Sequence, residues 1–269
     1  MGHIRLGTIP TTRKWQAVAQ IVAGTGESGT GSQDLLTADI DSIAAETLNA
    51  ARTGLSKAID DIGLQYTFYL LTQVVLSTRT ENWVEQLAPF GIQLPGDAGL
   101  IDLTAEVQAS IDDFVTARGR PTDVSEMAQE AAGEAIAALI GPKANTLFGS
   151  GREELKLAVH DFSTKTGFAR LSQEFFGRFM TRFLNFYLSR VTAAQTGQQR
   201  LPQIGDATTF NDALLRHCQQ SALILHDYSG EWYSKTEFQH GINLENTSGF
   251  VAVAIKKLQA ELSRQGTTT

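Results

Sequence analysis

Between Phe168 and Val191 the chain sets Phe175, Phe176, Phe179, Met180, Phe183, Phe186 and Tyr187 within a single run, and at helical spacing these cover about two-thirds of a helix circumference. A helix that is apolar on so many sides cannot rest on one neighbour. It requires other helices around it, so this run predicts a bundle with an aromatic helix at its centre. Arg170, Arg178, Arg182 and Arg190 interrupt the run too often for a bilayer span, and their heads must reach water or carboxylates.

The remaining segments supply the wrapping. Ile40, Ile43, Ala44, Thr47, Leu48 and Ala51 recur on one helical face from about Asp34, and the stripe continues as Leu55, Ile59 and Ile62. Leu64 to Ser77 is apolar nearly all round and reads as a buried helix; Trp83, Val84 and Leu87 extend it to Pro89, where a breaker-rich loop begins. Val107, Ile111, Phe114 and Val115 mark another helix, closed by Gly119. Asp123 with Glu126 resembles a capping box that opens a helix running to Ile140, stopped by Gly141 and Pro142. Ser150 with Glu153 opens a short helix carrying Leu155, Val159 and Phe162. Thr209 and Asp212 open one bearing Phe210, Leu214, Cys218 and Leu225, and Val251, Ile255, Leu258 and Leu262 stripe a last helix from about Ser248 to Arg264.

Nowhere does polarity alternate between hairpin turns. The expectation is an all-α protein: a multi-helix bundle of roughly eight to ten helices around a central aromatic helix, with an extended N-terminal arm. Residues 1–32 form that arm, a short helix and a Gly-rich tether, and 33–269 a single helical domain.

At 42% apolar and 19% charged residues the chain has material for a core and too little charge for disorder. A net charge of −7 disfavours general nucleic-acid binding. Cys218 is the only cysteine, which excludes an intrachain disulfide and fits a reducing, cytoplasmic compartment. The first residues lack an apolar signal region, and no run is long enough to span a bilayer.

Candidate chemistry is sparse. The glycine-rich stretch from Gly24 to Gly31 lacks the lysine and the preceding strand of a phosphate loop, and Thr30 stands where a serine elbow needs glycine, so it reads as a tether. Phe148 to Gly151 could seat an anion ahead of a helix, but a Ser150 cap explains the same residues. His217, Cys218, His226 and His240 match no zinc spacing, and Cys218 reads as a core thiol on the Leu214 stripe.

A near-duplicate is the most unusual local feature: His160, Asp161, Phe162 and Ser163 against His226, Asp227, Tyr228 and Ser229, each at an expected helix end. Imidazole beside carboxylate is an ordinary divalent-metal ligand pair. The motif resembles the paired motif of HD-type phosphohydrolases, and the resemblance implies a metal-dependent hydrolase with His160, Asp161, His226 and Asp227 as catalytic candidates. The competing reading is a histidine complementing a helix C-terminus with Asp and Ser starting the next turn, and on that reading no metal or cofactor is involved.

Residues 226–240 are expected to form a loop, in which Trp232, Tyr233, Lys235 and Phe238 are the binding candidates; sealing the end of the bundle is the alternative. Ile4, Leu6, Ile9 and Trp15 form an apolar arm that must pack on something, and they are the expected interface. The leading expectation is therefore a non-enzymatic interaction or structural subunit with a protein partner or self-association. The alternatives are the HD-like hydrolase and an effector that inserts helix 168–191 into a membrane or partner groove.

Overall fold

A computed structural model describes residues 43–119, 121–144, 151–195 and 204–265. Among these residues the protein is all-α, with no strand. A helical segment at 43–50 leads into ten α-helices: α1 (Arg52–Ile59), α2 (Ile62–Ser77), α3 (Trp83–Leu87), α4 (Leu100–Arg118), α5 (Asp123–Ala144), α6 (Arg152–His160), α7 (Lys165–Gln195), α8 (Ile204–Ser221), α9 (His226–His240) and α10 (Leu244–Gln265). Short 3-10 turns at Ala88–Phe90, Asp161–Ser163 and Ala222–Leu225 join α3 to the loop, α6 to α7 and α8 to α9.

The predicted central helix is α7. It packs against α5, α8 and α9, while α2 packs against α4, α5 and α10 and so forms the second axis of the bundle. Phe175, Phe176, Phe179, Met180 and Phe183 are fully buried, whereas Phe186 near the helix end is partly exposed. The two axes meet at Phe68 of α2, whose ring lies 5.7 Å from Phe168, 5.5 Å from Phe175, 5.0 Å from Phe176 and 5.2 Å from Phe250 of α10. Burying one such ring stabilises by about 1.5–3 kcal/mol, and edge or offset contacts add to it. This cluster is the energetic centre of the fold.

Arg170, Arg178 and Arg182 behave as their spacing requires, and the Arg190 side chain lies outside the described residues. Arg178 meets Glu174 at 2.6 Å and Glu134 at 3.2 Å; Arg182 pairs with Glu130 and Glu134. The α5 and α7 helices are thus laced together along their wet edge, and Arg170 is exposed. On the opposite side α9 approaches α7 closely. Ser172 donates to Ser229 at 2.8 Å, and Ser229 donates to the Leu225 carbonyl at 2.7 Å. A Cβ on Gly230 would stand 3.0 Å from the Lys165 carbonyl oxygen, so a larger residue there would make α7 or α9 give by a few tenths of an ångström.

Several boundaries differ from expectation. The cap of α5 is the reciprocal pair Thr122 and Ser125: the Ser125 amide donates to Thr122 Oγ1 at 3.0 Å and the Thr122 amide to Ser125 Oγ at 2.8 Å, so the box lies one residue before Asp123 and Glu126. Helix α5 also continues through Pro142 to Ala144. A proline near a helix end costs less than one in the interior. Helix α6 has Gly151 as its N-cap, and Ser150 lies outside the described residues. Helix α8 begins at Ile204, before the box expected at Thr209.

The largest correction concerns residues 226–240, which form the helix α9 and not a loop. Its inward stripe consists of Ser229, Gly230 and Tyr233. Two of these three residues are small and non-greasy, so a search for recurring large apolar residues passes over them.

Candidate functional site

The C-terminal end of α2, the turn after α6 and the middle of α9 meet in one polar junction. Three hydroxyls first satisfy the last carbonyls of α2: Ser77 donates to Val74 at 2.8 Å, Thr78 to Val75 at 2.7 Å and Thr80 to Ser77 at 3.0 Å. Arg79 then reaches outward from this end. Its guanidinium donates to the Ser163 carbonyl and, at 3.2 Å, to the Tyr233 hydroxyl, and it pairs with Glu237 at 3.2 Å. The Tyr233 hydroxyl donates to the same Ser163 carbonyl at 3.0 Å. One backbone oxygen therefore serves both of its lone pairs to side chains, one from α9 and one from the turn that follows α2.

His160 borders this junction. Its Nδ1 lies 3.4 Å from Thr78 Oγ1 and 3.4 Å from Ser163 Oγ. Burial pushes the Tyr233 hydroxyl well above its ordinary range, Arg79 offsetting part of the effect, so at neutral pH it is a donor and not a base. Arg79 is already matched by Glu237. The chemistry available here is that of a brace between three helices.

The two His-Asp pairs are held by different partners. Asp161 accepts from Lys143 of α5. His226 Nδ1 and Asp227 Oδ1 lie 3.0 Å apart at the start of α9, with Asp227 open to solvent. The HD likeness requires the pairs to converge on one ion, and among the described residues no group of three or more His, Cys, Asp or Glu side chains is placed to hold a metal. The expectation that both pairs end helices holds for His160 alone, since His226 opens one.

Of the four binding candidates, Tyr233 is fully buried and stacks on Phe168 at 4.1 Å. Trp232 is half-buried and stacks on Phe250 at 4.3 Å. Lys235 and Phe238 remain at the surface, Phe238 at 88% exposure. Cys218 is fully buried on the Leu214 face, and burial pushes its thiol up to about 12 despite a hydrogen bond with Thr181. Ile4, Leu6, Ile9, Trp15 and the tether Gly24 to Gly31 lie outside the described residues.

Sequence reasoning missed Arg79 and Glu237, and it named Ser163 only as part of the His160 to Ser163 near-duplicate. A cation just past a helix C-terminus complements the helix dipole, and the run Ser77, Thr78, Arg79, Thr80 carried that signal. No local signal marked Glu237.

Among the described residues no helix is long and apolar enough to cross a membrane. The fold and junction define an all-α helical bundle with polar braces at its helix ends. Comparison with protein-family models, curated proteins and solved structures finds no match.

Proposed function

We propose that the protein is a non-enzymatic interaction subunit, in which residues 1–32 engage a neighbouring protein chain. The observation that carries this reading is how the ionisable side chains at the junction are used. Arg79, Tyr233, Glu237, Lys143 and Asp161 are all engaged with one another or with backbone, as structural braces are. Residues from Ile43 to Leu262 supply one continuous core. The apolar arm residues Ile4, Leu6, Ile9 and Trp15, tethered through a glycine-rich stretch, are then the means of reaching a partner. The expected setting is cytoplasmic, with no general nucleic-acid binding.

Size-exclusion chromatography with light scattering tests the reading on the full chain, on a chain lacking residues 1–31 and on full chains carrying Leu6→Glu and Trp15→Glu. An assembled full chain that dissociates on each change supports it. Equal monomeric masses throughout, with no chain retained in a co-purification that depends on Trp15, would remove it.

A further inference from the structure

We draw no further inference here: the strongest candidate, the exposed apolar surface patch that Leu223 and Ile224 form on the turn between α8 and α9, is an unpartnered face, and nothing in the structure shows what covers it.

Discussion

The Tyr233 hydroxyl and the Ser163 carbonyl, 70 residues apart in the chain, are joined at 3.0 Å, and Arg79 donates to the same oxygen. Removing either donor leaves the carbonyl with one partner, while removing both orphans it at a buried position. Tyr233→Phe and Arg79→Ala are therefore each expected to cost about 0.5–1.5 kcal/mol, and the double variant more than their sum, since an orphaned buried carbonyl carries its own penalty of about 1–3 kcal/mol. Urea unfolding of the four proteins measures the coupling. Strict additivity would mean that Arg79 and Tyr233 do not share the oxygen.

Phe250 stacks on Phe68 at 5.2 Å, on Trp232 at 4.3 Å and on Tyr228 at 5.2 Å. Phe250→Ala should cost roughly 3–5 kcal/mol, because it opens a cavity where three helices meet. Trp232 loses its cover at the same time, so its fluorescence should shift to the red in the folded state. A loss below about 1 kcal/mol would place Phe250 outside the core.

Glu134 holds Arg178 at 3.2 Å and also pairs with Arg182. It is more than a third exposed at the side chain, so the gain is solvent-screened. Glu134→Gln is expected to cost about 1 kcal/mol at low salt and less at high ionic strength. Unfolding at two salt concentrations distinguishes this from a packing defect, whose cost salt would not reduce.

Burial raises the Cys218 thiol from 9.0 to about 12. The folded state thus holds the proton more tightly than the unfolded chain. The contribution to stability is complete below pH 9.0 and is lost as pH rises toward about 12. Stability should fall more steeply across that window in the natural protein than in Cys218→Ala. The native thiol should also resist a disulfide reagent at neutral pH and react only as the chain opens. Rapid stoichiometric labelling of folded protein would contradict its buried placement.

Four of the helices were legible from their apolar patterning alone. In α2, α4, α7 and α10 the residues expected to face inward, such as Leu64, Val107, Phe179 and Leu258, are buried. Large side chains repeating at helical intervals have one economical solution, which is a common core. The carboxylate partners of Arg178 and Arg182 follow from the same reasoning, since a guanidinium within an aromatic run must find carboxylates.

Helix α9 was not legible, and neither was the junction it helps to build. Its inward face depends on Ser229 and Gly230, residues chosen for how near α7 comes, and that distance exists only once both helices are packed. The pairing of Arg79 with Ser163, Tyr233 and Glu237 is likewise a matter of three chain segments meeting, not of any local pattern. The sequence by itself determined the helical class and which faces are greasy, because periodicity is a property of neighbouring residues. Only the tertiary structure decided which polar groups meet, because those contacts join residues many turns apart and depend on how the helices cross.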